Sequence, residues 1–132
     1  MIVLRRALKI QAALWALGGL AQVIAPRWFL VTVFRQVPYP DYAYPRSMGI
    51  ACIGLAMLMV LVANRLDEVW WWAWAFAAVN AGLTTLCTLT ALFGTPEGSA
   101  TIYWWLLAGM NAAFGAVLLL GLARAEQTKP IA

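Results

Sequence analysis

Histidine is absent from this chain of 132 residues. That excludes a bis-histidine haem, a histidine-ligated chlorophyll and the usual zinc site. The two cysteines, Cys52 and Cys87, are far apart and neither belongs to a CxxC, so no disulfide framework or metal-finger spacing is present. Charge is scarce as well: 11% of residues are Asp, Glu, Lys or Arg, where a soluble domain carries about a quarter. The net +4 comes from few groups and calls for no nucleic acid. No acidic residue lies inside any long apolar stretch. Proton- and cation-coupled transporters generally place an ionisable group at that depth, so transport of that kind is disfavoured.

What fills the chain instead is apolar: 64% of residues are hydrophobic, the composition of a lipid-embedded protein. Four runs stand out, roughly Ala7 to Ala25, Pro45 to Ala63, Val69 to Phe93 and Thr101 to Ala123. At about 1.5 Å per residue each is long enough to cross a hydrocarbon core. Backbone polar groups in lipid must bond within their own segment, which makes these runs helices. The expectation is one domain, residues 1–132, folded as an all-α polytopic membrane four-helix bundle. Arg5, Arg6 and Lys9 stand at the start of the first run as in a signal peptide, but it lacks a persuasive small-x-small exit before Pro26, so a retained helix is expected.

Asn64 to Glu68 and Gly94 to Ala100 are short connections, so the last three helices form an antiparallel series. Residues 26–44 are different. This stretch carries the prolines Pro26, Pro38 and Pro40, the tyrosines Tyr39, Tyr42 and Tyr44, and the apolar Trp28, Phe29, Val31 and Phe34 between Arg27 and Arg35. Aromatic rings with polar tips settle at a membrane–water boundary. The segment is expected to be an amphipathic interfacial loop, with Trp28, Phe29 and Phe34 docking a neighbouring protein.

With the N-terminus inside, Arg5, Arg6, Lys9, Arg65, Arg124 and Lys129 fall on the inner side, against Arg27, Arg35 and Arg46 outside. That bias predicts both termini in the cytoplasm and residence in the inner (plasma) membrane. Trp70, Trp71, Trp72 and Trp74 then mark the inner boundary, and Trp104 and Trp105 the outer one. Ala73, Ala77, Ala81 with Ala78, Gly82, and Ala108, Ala112, Ala116 with Gly109, Ala113, form small-residue stripes at four-residue spacing. Such stripes let helix backbones approach closely.

Polar residues inside the runs are the candidate site. Asn80 and Asn111 share a depth and are expected to bond each other across two helices, worth about 1 kcal/mol. Asn80, Thr84, Cys87 and Thr88 share one helix face, and Gln11, Trp15, Gly18 and Gln22 another. Facing each other, they would line a narrow polar pocket whose candidate residues are Gln11, Gln22, Arg46, Asn80, Thr84, Thr88 and Asn111. Threonines in membrane helices often bond their own backbone, the plainer alternative. Arg46 either snorkels to the headgroups or turns inward against Gln22, Asp41 or Glu97. Cys52 and Cys87 lie at similar depth as a candidate redox pair, although buried free cysteine more commonly packs as a small apolar side chain. No catalytic residue and no metal ligand set is identified.

The order Leu20, Pro26, Phe29, Phe34, Arg46, Gly49, Gly54, with YPRSMGIACIGL opening the second helix, resembles the DoxX-like group of small four-helix membrane proteins. The resemblance implies the four-helix fold, and for some members quinone-linked sulfur redox chemistry. Three functions follow as expectations. The leading one is a non-catalytic accessory subunit that packs against a larger membrane protein or its own copies. The second is an oxidoreductase or a quinone- or lipid-binding helper using an outer-leaflet polar pocket. A small transporter comes last. No resident cofactor is expected, with quinone or lipid the only ligands in view.

Overall fold

The computed structural model describes residues 1–128; Lys129, counted above toward the inner charge, lies outside them. The chain is all-α, with four helices long and apolar enough to cross a membrane. They are Ile2–Ile24, Ala43–Asn64, the composite Leu66–Gly94, and Ile102–Thr128. The first packs along the second, the third along the fourth, and the first also touches the fourth. Arg5 approaches Asp67 to 3.5 Å, so the chain's start lies beside the turn joining the second and third helices. That is the N-terminal end of the bundle. The loop end carries the other two connections.

Helix bounds depart from the runs read off the sequence where hydropathy is a poor guide. The first helix begins at Ile2, because the basic residues at its start are good helix formers. The second begins two residues before Pro45, at Ala43, where the Asp41 carboxylate accepts the Ala43 N–H at 2.8 Å. Pro45 thus sits in the first turn, where an N–H has no intrahelical acceptor and its loss costs nothing. A single residue, Arg65, separates the second helix from the third. The third changes pitch twice, with a tight 3₁₀ turn at Trp70–Trp72 and a wide π turn at Thr90–Gly94. Thr90 Oγ1 donates to Leu86 O at 2.8 Å and Thr95 Oγ1 to Thr90 O at 2.9 Å, contacts of the kind that bend helices.

The apolar core is concentrated at the N-terminal end, where Leu4, Leu8, Met59, Leu66, Leu118 and Leu122 are fully enclosed. Trp70 joins them with 2% exposure, whereas Trp71, Trp72 and Trp74 face outward. Of the four tryptophans expected at the inner boundary, Trp70 is thus enclosed by the core at the end of the bundle and the other three lie on its outside.

The small-residue stripes are corrected too. Ala73, Ala77 and Ala108 point inward, but Ala78, Ala81, Gly82, Gly109, Ala112, Ala113 and Ala116 are exposed. The close approach falls on glycines the stripes did not include. A Cβ on Gly19 would lie 2.7 Å from Gly49 O, one on Gly115 3.3 Å from Asn80 Cβ, and one on Gly121 3.1 Å from Leu4 Cβ.

Candidate functional site

Two polar constructions occupy the bundle, one at its centre and one at the loop end. At the centre, Gln11 and Asn80 are both fully buried. Gln11 Nε2 donates to Asn80 Oδ1 at 2.6 Å, and Asn80 Nδ2 donates back to Gln11 Oε1 at 3.3 Å. The pair links the first helix to the third, across the bundle. Each amide meets its partner's needs, which removes much of the cost of burying it.

Asn111 does not join them, contrary to the expected Asn80–Asn111 bond. Its Nδ2 donates to Leu107 O of its own helix at 2.8 Å, and its buried Oδ1 has no partner. The glycine one turn further along the fourth helix, Gly115, packs against Asn80 instead. A glycine there brings the two backbones together but supplies no amide. Thr84 Oγ1 bonds Asn80 O at 2.7 Å, the plainer of its two readings. Thr88 is half-buried, and Gln22 is half-buried beside the Gly19–Gly49 contact. Of the two polar stripes, then, only Gln11 and Asn80 meet in a hydrogen bond.

Arg46 is exposed and forms no ion pair among the described residues, so it does not turn in on Asp41 or Glu97. Cys52 and Cys87 are both free thiols. Cys87 is buried, while Cys52 packs beside Gly19, 3.3 Å from the position of an added Cβ. Among the described residues, no three cysteine or carboxylate side chains converge to hold a metal ion.

At the loop end, the long first connection is folded onto the bundle. The chain leaves the first helix through a π-helical stretch, Trp28–Val33. Phe34 N–H then donates to Phe29 O and Gln36 N–H to Leu30 O at 2.8 Å. The backbone reverses at Arg35, whose φ of +52° is unusual for a residue with a side chain. It is held by Ala100 N–H donating to Arg35 O at 3.1 Å. Gln36, with 6% exposure, fastens the two connections together, since its Nε2 donates to both Phe34 O and Ala100 O at 2.9 Å. Ser99 Oγ accepts from Val37 N–H at 2.9 Å. The last connection, residues 95–101, presents these groups from a tight turn closed by Ser99 N–H to Pro96 O, with Gly98 at φ +85°. Only glycine enters that backbone region freely.

Rings close the cap. Phe34 lies 4.9 Å from Phe29 edge-on and 4.7 Å from Tyr103, which is buried. Phe29 and Phe34 are therefore half-buried parts of a lid, and of the three expected docking residues only Trp28, at 57% exposure, faces outward. Sequence reading missed Gln36 entirely. A lone glutamine between arginine and valine carries no signal until the last connection is placed beside it. Between the connections lies a recess of about 210 Å³, lined by Gln36, Val37, Tyr39, Pro96, Ser99 and Trp104. The Trp104 Nε1–H is buried without an acceptor.

No family model, curated protein or solved structure matches the chain.

Proposed function

We propose that this chain is a non-catalytic subunit of a larger membrane assembly. It resides in the plasma membrane with both termini in the cytoplasm and belongs with the DoxX-like four-helix proteins. The observation that carries the reading is the outward placement of small residues: Ala78, Ala81 and Gly82 on the third helix, Gly109, Ala112 and Ala116 on the fourth. Lipid gains nothing from a row of missing side chains, whereas a neighbouring helix gains close backbone contact along it. The interior supports the same reading, because Gln11 and Asn80 at its centre are committed to holding two helices together. Gentle detergent extraction followed by identification of what co-purifies is the test. The expected result is a stoichiometric larger membrane protein, released by Gly82→Leu with Gly109→Leu while the four helices stay folded. Extraction of the chain alone, unaffected by those changes, overturns the reading.

The recess at the loop end favours a second reading, a helper that binds a quinone or lipid at the outer boundary. A carbonyl or ester oxygen there would satisfy the Trp104 N–H. Under this reading Trp104→Phe lowers retention of the bound molecule and leaves co-purification with a partner unchanged.

A further inference from the structure

The recess between the two loop-end connections carries hydrogen-bonding capacity that the fold does not use. Gln36, with 6% exposure, commits its Nε2 to two carbonyl oxygens, those of Phe34 and Ala100. That commitment settles which way the amide points, and Oε1 is the atom turned away from them. Oε1 accepts no hydrogen bond among the described residues, and it is not sealed in by protein as the orphaned Trp104 Nε1 is. The little surface Gln36 keeps belongs to the recess it lines. On the same wall Ser99 Oγ accepts from Val37 N–H at 2.9 Å and donates to no described residue, so its proton is uncommitted. The remaining walls, Val37, Pro38, Pro96 and Trp104 among them, are largely apolar, and no charged side chain lines the recess. Arg35 and Glu97, the charges adjacent in sequence to Gln36 and Pro96, are exposed outside it.

Resting on the second reading above, we propose that the recess binds the hydroxyls of a neutral polyol, a glycerol or sugar headgroup, through Gln36 Oε1 and the Ser99 O–H. A quinone or a plain ester only accepts, and would leave Oε1 unpaired. An ionised phosphate only accepts as well, and its charge would meet no cation in the walls. A hydroxyl both gives and takes. Its carbon frame can pack on proline and aromatic walls from which loosely held water is readily displaced. In a headgroup layer, glycerol and sugar hydroxyls are the neutral groups of that kind.

The test is native mass spectrometry of the full chain purified in a sugar-free detergent. It is titrated with glucosyldiacylglycerol, with the same lipid O-methylated at every hydroxyl, and with phosphatidylcholine of matched acyl chains. Two net hydrogen bonds predict about a tenfold preference for the free hydroxyls over either of the others. Gln36→Lys keeps donors for the carbonyls of Phe34 and Ala100 but offers no acceptor, and lowers the preference to about threefold. Hydrogen exchange at residues 35–42 and 95–101 checks that the connections stay fastened in that variant; if it rises there, the O-methylated lipid alone decides. Added glucose separates the two sources of the chemistry: displacement of the glycolipid assigns a free sugar, its retention a lipid headgroup, and either supports the hydroxyl site. Equal retention of all three lipids, lowered by Trp104→Phe, overturns the hydroxyl selection and leaves the second reading standing. Retention of none overturns both. A preference unchanged by Gln36→Lys with the connections fastened also overturns the proposal.

Discussion

Gly19 and Gly49 meet so closely that a Cβ on Gly19 would lie 2.7 Å from the carbonyl oxygen of Gly49, and one on Gly49 2.6 Å from that of Gly19. The contact is reciprocal, and each Cα–H is directed at the other carbonyl, a weak hydrogen bond that recurs at helix interfaces. Ile53 beside Gly19 and Val23 beside Gly49 close over the crossing, so the first and second helices meet backbone to backbone with branched side chains flanking the contact. Gly19→Ala and Gly49→Ala are each expected to destabilise the protein by about 1–3 kcal/mol through overpacking, and the double change by less than the sum. Gly18, with nothing within 4 Å of an added Cβ, is the control. Gly18→Ala should be neutral in the same unfolding titrations in mixed micelles. Equal sensitivity at positions 18 and 19 would remove the close crossing as the cause.

The buried amide pair makes a second prediction. Gln11→Leu and Asn80→Leu should each cost about 0.5–2 kcal/mol, with a coupling of at least about 0.5 kcal/mol in a double-mutant cycle. The same cycle between Asn80 and Asn111 should show no direct coupling, because Asn111 bonds its own helix. Coupling in the second cycle and none in the first would reverse the assignment.

Gln36 is expected to matter more than any aromatic residue on the loop surface. Gln36→Ala leaves Phe34 O and Ala100 O without their shared donor, at a cost of about 1–3 kcal/mol if they remain dry. Hydrogen exchange should then rise at residues 35–42 and 95–101 together, while the four helices keep their protection. Phe34→Ser should lower thermal stability through lost packing on Tyr103. Trp28→Ser, at an exposed position, should leave it unchanged within about 0.5 kcal/mol. A Trp28 variant as unstable as the Phe34 variant would mean that the lid extends further than these contacts.

Topology is checked separately. A reporter fused after Ala132, itself outside the described residues, should be active only in the cytoplasm, and one inserted at Gly98 only on the far side. The opposite pattern would invert the membrane and reject the expected charge bias.

The sequence by itself determined the number of helices, their approximate lengths and the antiparallel order of the last three. The reason is the solvent: in lipid an uninterrupted apolar run has one way to satisfy its backbone, so length and composition suffice. The prolines and short polar segments placed the connections for the same reason, with errors of a few residues where a cap or a first-turn proline shifted a boundary, as at Ala43.

Which face of each helix turns inward was left to the tertiary structure. In water an apolar stripe announces the core, but here core and lipid are equally apolar, so Trp70 inside and Trp71 outside look alike in sequence. The same ambiguity hid Gly19 and Gly49 among ten glycines, and it put the small-residue stripes of the third and fourth helices largely on the wrong side. Polar partners were undetermined for a related reason. Depth paired Asn80 with Asn111, but a hydrogen bond needs the right azimuth as well, and the twist and crossing of the helices gave Asn80 to Gln11. Gln36 depended on two connections, over sixty residues apart in sequence, meeting at one end of the bundle, a distance that no local pattern spans.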